Sequence, residues 1–420
     1  MKAASVAVRI LISLACVFVL WRVAIQELAD YYASSRTADA YQRAVRIQPG
    51  NAEFVSARAV FLAVNGDPST AVDQALQAAV SMNPADAEAL MALGLRAENR
   101  GDLAAARTFL ERAASASRLF KPAWTLANFY FRTGEDARFW PMIERCLTMI
   151  EPRNLEPMSF DPSPIFDLAW HQEANPAKIR AIVPKRAATI IPYLRYLYFT
   201  DRFRAALDVW PDALAAANPG VPQDFEAILL FSEYLIYQNY ATEAVAVWND
   251  SIKRGFVQST PLDPATGNFV ENPEFVYPAI AHSFSWFPAH LPGVFVTEAP
   301  HAMRFEFTGN EPENFELLWK FLPLGSGRNF RLTWDADASR LEKPPGAPSG
   351  LAFTLDELPA GGQAGHPCAP FASEGKGACE LSVLPATRVL RLSLRYQRPI
   401  GATRLKGVFV LSAAHLEPAR

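Results

Sequence analysis

Hydrophobic positions along the chain follow two periods. Up to about residue 255 apolar residues recur three and four positions apart, the spacing that gives a helix one buried stripe. After Gly255 the helical pattern stops and strand-like alternation follows. MRFEF (303–307) puts Met303, Phe305 and Phe307 on one face, and FRLTW (330–334) groups Phe330, Leu332 and Trp334 opposite Arg331 and Thr333. FELLWKF (315–321) sets Phe315, Leu317, Trp319 and Phe321 together and leaves Glu316 and Lys320 outward. VLRLSLRY (389–396) opposes Leu390, Leu392, Leu394 and Tyr396 to Arg391, Ser393 and Arg395. With GLAFTL (350–355), CELSVL (379–384) and GVFVLS (407–412) there are at least seven short strands, and alternation with one polar face predicts an antiparallel sandwich. The expected fold is multidomain α + β: an N-terminal membrane anchor (1–28), an α-solenoid of helical hairpins (29–255) and a C-terminal antiparallel β-sandwich (256–420).

The helical region repeats. Pro49, Pro84, Pro152 and Pro219 are 35, 68 and 67 residues apart, near multiples of 34. Tyr41, Leu76 and Leu110 keep the same step, as do Ala44, Ala79 and Ala113. Such a period marks stacked helical hairpins, none of which buries its apolar stripe alone. In LGLRAENRGDLAAARTFLERA (93–113), Gly94, Gly101, Ala106 and Ala113 are small where a second helix is expected to come close, with Leu110 filling the space beside them. These residues resemble the tetratricopeptide repeat. The copy at 87–120 matches best. The copy at 53–86 keeps Leu76, Ala79 and Pro84 but has Val60 where Gly is usual, and the copy at 121–154 has Trp124 and Pro152 with Asn128 in place of the Gly. Stretches 193–219 and 227–252 are weaker copies, and 154–187 diverges most. The resemblance implies that the first helix of each repeat lines a groove for an extended peptide or partner helix, on which Phe61, Leu95, Phe129 and Tyr196 fall. The alternative is that these side chains touch a neighbouring repeat.

Val6 to Ile25 is a 20-residue, largely apolar run, roughly 30 Å of helix and about the thickness of a bilayer core. Arg9 and Arg22 lie toward its ends, where cationic side chains reach the headgroups. A cleaved signal peptide is the rival reading, but no small-x-small cleavage site follows, so an uncleaved signal anchor is expected. Lys2 and Arg9 precede the core, so the N-terminus is expected to stay in the cytoplasm and the bulk to cross the membrane.

The strand region resembles a carbohydrate-binding-type jelly roll. GNFVENPEF (267–275) matches the early Gly-Asn-Phe-Glu segment of such domains, with Val270 where their acid is common. FSW (284–286), AMRFEFTG (302–309) and GVFVLSAAHL (407–416) fall in the corresponding order. The resemblance implies a sheet face able to take a sugar chain. The outward residues Arg304, Arg331, Asp335, Arg391 and Arg395 are the candidate glycan or docking face, the alternative being a solvated surface.

Charge narrows the partners. A formal net charge of −3 over 420 residues argues against a dedicated nucleic-acid binder, which needs a basic surface. Cys368 and Cys379, 11 apart, can close a disulfide loop in an oxidising compartment, whereas zinc would need ligands beyond His366. No Walker loop, Gly-x-Ser-x-Gly elbow or His-Glu-x-x-His motif occurs. His282, His290 and His301 lie within 20 residues without a fourth ligand. The expectation is a non-catalytic, membrane-anchored scaffold without cofactor or metal. Its solenoid would hold envelope proteins, its sandwich a polysaccharide or another subunit, and its N-terminal helix the lipid bilayer. Resemblance to repeat proteins of bacterial exopolysaccharide assembly systems suggests biosynthesis or export of such a polymer. A glycan-binding protein using the sandwich and an enzyme acting on an envelope glycan are the other readings.

Overall fold

The structure is a computed structural model, and it describes residues 2–66, 69–150, 161–325, 327–342, 349–358, 365–371 and 374–419. The chain divides into two compact units, Met1–Pro184 and Lys185–Arg420. The division falls inside the helical region, not at the change of pattern after Gly255, so the last four helices group with the strands.

The first unit contains α1 (Lys2–Ala33), α2 (Ala38–Ile47), α3 (Ala52–Val64), α4 (Thr70–Met82), α5 (Ala87–Asn99), α6 (Leu103–Ala116), α7 (Phe120–Thr133), α8 (Asp136–Thr148), α9 (Ser163–Gln172) and α10 (Pro176–Ile182). Short polar residues start several of these helices. Asn51, Asp86 and Asp102 each accept a backbone N–H of the first turn, satisfying a donor the helix cannot pair itself. Consecutive helices pair as α1/α2, α3/α4, α5/α6 and α7/α8, and the first helices α3, α5 and α7 also pack on one another. This is a tetratricopeptide-like arrangement of stacked hairpins.

Gly94 shows why small residues are needed. A Cβ there would lie 2.6 Å from Leu110 Cγ and 2.7 Å from its Cδ2, and Ala106, Leu110 and Ala113 have no exposed surface. Gly101 differs from the expectation: a Cβ would meet nothing, and its φ of +81° shows that the turn leaving α5 needs a left-handed residue rather than space. Ion pairs follow the repeat as well. Glu88 meets Lys121 and Glu98 meets Arg132, 33 and 34 residues on, each at 2.8 Å. The divergent copy yields the short α9 and α10; its residues 154–160 lie outside the described residues.

The second unit opens with α11 (Ala187–Phe199), α12 (Phe203–Ala216), α13 (Pro222–Tyr237) and α14 (Ala241–Lys253). The strands are β1 (Phe287–Pro288), β2 (Val294–Ala299), β3 (Ala302–Thr308), β4 (Asn314–Pro323), β5 (Asn329–Glu342), β6 (Leu351–Leu358), β7 (His366–Pro367), β8 (Glu374–Ser382), β9 (Val389–Gln397) and β10 (Lys406–Pro418). They form two antiparallel five-stranded sheets, ordered β1-β4-β9-β6-β7 and β2-β3-β10-β5-β8, packed as a jelly-roll-type sandwich. Phe305, Phe353, Leu392 and Phe409 are among the fully buried residues of its core. At one margin Cys368, whose N–H donates to Phe353 O on β6, is disulfide-bonded to Cys379 of β8, with 5.5 Å between the Cα atoms. The bond ties one sheet to the other.

Strand β4 breaks the expected alternation. A bulge between Glu316 and Leu318 shifts its pairing with β9, so that Trp319 lies opposite Ser393, Lys320 opposite Leu392 and Phe321 opposite Arg391. One extra residue reverses every later side chain: Lys320 turns into the sandwich core, while Trp319 and Phe321 turn to the other face of the sheet, where Phe321 is still buried, against Tyr237.

Candidate functional site

The structure brings only part of each candidate set together. Phe61 sits on α3, half-buried, with its ring 5.7 Å from Tyr41 of α2. Val60 and the exposed Val64 extend the apolar strip into an open groove of ≈ 730 Å³, whose rim carries Glu53, Asp86 and Glu88. Glu53 makes no side-chain hydrogen bond or ion pair among the described residues, Asp86 caps α5, and Glu88 pairs with Lys121. Leu95 is exposed on α5 but does not line this groove. Phe129 and Tyr196 are core residues, against expectation: Phe129 has no exposed surface and Tyr196 only 7%. Both helices are buried over a wide face, α7 through Ala123, Leu126, Ala127 and Tyr130, α11 through Ile191, Leu194 and Tyr198, so the register position that opens at Phe61 is closed there.

The five charged residues of the sandwich do not make one surface. Arg304, Arg331 and Asp335 belong to β3 and β5 of one sheet, Arg391 and Arg395 to β9 of the other. Three of them are engaged. Arg304 pairs with Glu306 at 3.1 Å, Arg395 donates to Asn314 Oδ1 at 3.5 Å, and Arg391 pairs with Glu316 at 2.6 Å while lying 4.4 Å over the Trp319 ring. Arg331 and Asp335 line an open cleft of ≈ 540 Å³ with Lys376, His415 and Glu274. Among the described residues Arg331, Asp335 and Lys376 form no ion pair or side-chain hydrogen bond. Charge in this cleft is mixed, since Glu380 and Glu417 stand opposite Arg331 on the neighbouring strands. Such a set suits hydroxyl groups, which accept from the cations and donate to the carboxylate. Trp334 also lines the cleft but is only 7% exposed, its ring turned into the core against Phe353 and Phe371, in space left by Gly377, where a Cβ would collide with the indole.

Sequence reasoning missed the buried pair. Lys320 has no exposed surface; its Nζ donates to the Glu271 carbonyl and to Glu271 Oε2 at 3.3 Å, and lies 4.3 Å from the Trp286 ring. Ser259 Oγ donates to Glu271 Oε1 at 2.5 Å. Burial pulls the Lys320 ammonium down to about 8, against the upward pull of Glu271. In GNFVENPEF Glu271 is the buried acid, one residue past Val270, which is itself core. No local signal marks the bulge that turns Lys320 inward.

The segment after α14 is fastened to the last hairpin. Asn249 exchanges two hydrogen bonds with the Leu262 backbone, both 2.8 Å. Ser232 Oγ meets Ser283 Oγ at 2.6 Å, and Glu233 Oε1 accepts from the Ser283 N–H and contacts His282 Nδ1, both 2.9 Å. His282 is thereby committed to Glu233. Among the described residues no three His, Cys, Asp or Glu side chains gather as a metal site.

No protein-family model matches the chain, and no curated protein matches its sequence. Solved structures similar to parts of it include one described as "CBM4 structure and function", with 10% identity, TM-score 0.27, covering 35% of this chain and 98% of that one. Another is YrrB, described as a TPR protein with an unusual peptide-binding site, at 11% identity and TM-score 0.28, covering 52% and 94%. PilF of Pseudomonas aeruginosa matches at 13% identity and TM-score 0.28, covering 55% and 90%. The likeness is one of fold.

Proposed function

We propose that the chain is a non-catalytic adaptor, anchored by α1 in a bacterial inner membrane with its bulk in the periplasm, that holds a protein partner in the groove at Phe61. The sandwich would contact an exopolysaccharide under assembly or export, or another subunit of that machinery. The groove is the observation that supports this reading most directly: an accessible apolar strip of Phe61, Val60 and Val64 between carboxylates, on a scaffold whose other aromatic candidates are core. In support of the anchor, α1 is the one helix among the described residues long and apolar enough to cross a membrane, over Leu11–Ala33. The disulfide fits an oxidising compartment for the second unit.

The test is quantitative co-purification of the detergent-solubilised full chain, wild type against Phe61→Ala and Val64→Asp. Both sites have exposed surface, so the fold is expected to persist while partner recovery falls at least fivefold. Unchanged recovery of every partner would end the adaptor reading. The cleft at Arg331 favours glycan binding by the sandwich as a second reading. It predicts saturable polysaccharide binding that Arg331→Ala abolishes and Arg395→Ala, on the other sheet, leaves intact.

A further inference from the structure

The helix that carries the apolar span is also the first helix of the first hairpin. Lys2–Ala33 is continuous, with no break between the two roles. From Leu11 to Val23 the large apolar side chains are exposed, with nothing of the protein packed on them. From Ala29 one face of the same helix is core: Ala29 and Ala44 have no exposed surface and cluster with Phe54, with Ala33 packed against them. The Arg43 guanidinium lies 5.7 Å over the Tyr32 ring, fixing α2 to the end of α1. Arg22, the last charge of the Val6–Ile25 run, is seven residues before Ala29, or about 10 Å of helix rise. A bilayer holding Val6–Ile25 therefore holds the first hairpin at a set height above its surface. The groove belongs to that hairpin and the next, through Tyr41 on α2 and Phe61 on α3.

We infer that the occupant of this groove is the juxtamembrane segment of another integral membrane protein, an apolar stretch bearing Lys or Arg. This rests on the anchored-adaptor reading and specifies its partner. Two properties of the site select that class. The apolar strip is bordered by Glu53, Asp86 and Glu88, with Lys121 the cation paired there, which favours cationic flanks over acidic ones. The rigid α1 connection keeps the groove close to the bilayer, where segments next to a transmembrane helix are concentrated, so a modest intrinsic affinity suffices.

The experiment places a photoreactive phenylalanine analogue at position 61 of the full chain in native membranes and maps the crosslinked peptide by mass spectrometry. The expected product is a peptide within about 20 residues of a transmembrane segment of a different protein. A ten-residue Gly/Ser spacer inserted after Ile25 adds a mean reach of about 17 Å while leaving Ala29 packed, and is expected to lower the yield at least fivefold. Glu53→Lys, at an exposed site, is expected to lower it similarly without the spacer. A crosslink to a soluble protein, to lipid or to a second copy of this chain overturns the inference. So does no crosslink at all, or a yield indifferent to both changes. Carbonate extraction of the same membranes separates the two claims: a chain that is stripped off refutes the anchor itself, whereas a retained chain with a soluble partner refutes only the inference.

Discussion

Replacing Gly94 with alanine sets two effects of known sign against each other. Alanine is favoured over glycine in a helix interior by about 1 kcal/mol. The added Cβ, however, would stand 2.6 and 2.7 Å from Leu110 Cγ and Cδ2, with Ala106 O at 3.4 Å. Carbon contacts are comfortable at about 3.5–4.0 Å, so two atoms are roughly 1 Å too close. Leu110 cannot swing clear: it is fully buried, and Cγ is its branch point. Overpacking of this kind costs about 1–3 kcal/mol, and a fixed neighbour puts Gly94→Ala in the upper half of that range. The expected net loss is about 1–2 kcal/mol, a fall of roughly 2–8 °C in the melting of a unit of this size. The assay is thermal and urea unfolding of the full chain in detergent, followed by circular dichroism. A double-mutant cycle isolates the cause. Leu110→Ala alone leaves a cavity and costs about 2–5 kcal/mol, but with Leu110 truncated Gly94→Ala should become favourable by up to about 1 kcal/mol. Gly101→Ala is the control, since its space is open and its cost of about 1 kcal/mol is backbone strain that ignores Leu110. If Gly94→Ala is neutral or stabilising with Leu110 intact, the close-approach explanation of the repeat is wrong.

Other consequences are as direct. Lys320→Met should cost about 3–5 kcal/mol by stranding Glu271, whereas Lys320→Met with Glu271→Gln should recover most of the loss; equal losses in chemical denaturation would contradict a paired role. Because burial lowers Lys320 from 10.5 to about 8, the unfolded chain binds that proton more tightly. The contribution of Lys320 to stability should therefore rise from pH 8 to 10.5 and be flat below 8, read as the urea midpoint of wild type minus that of the double variant. Cys368→Ser should destabilise the sandwich by about 3 kcal/mol, the loop-closure value for a separation of 11, and reducing agent should change the wild type but not the variant.

How far the chain could be read depends on how local each determinant is. The helical period, Gly94 against Leu110 and the two-layer strand domain follow from spacing within one hairpin or one strand, and they appear in the structure. What was hidden depends on neighbours. In FELLWKF, strict alternation makes Trp319 core and Lys320 solvent; the bulge against β9 inverts both, and only the partner strand reveals it. Phe61 and Phe129 hold equivalent repeat positions, yet only Phe61 stays accessible, because burial at that position depends on how adjoining helices close over it. Arg331 and Arg391 look alike as outward arginines; the strand order assigns them to opposite sheets, and Glu316 and Trp319 occupy the second.

The bonds from Ser232, Glu233 and Asn249 to residues 262–283 have a practical and an evolutionary side. Repeat arrays leave an unsatisfied apolar end, and here the stretch leading into β1 covers it, with Phe284 against Trp248. A fragment trimmed at residue 255 would bare that end and tend to precipitate, while one begun at Lys185 keeps the seal. By the same logic, duplication could lengthen the array only upstream of α13, because a hairpin added after α14 would have to displace the stopper.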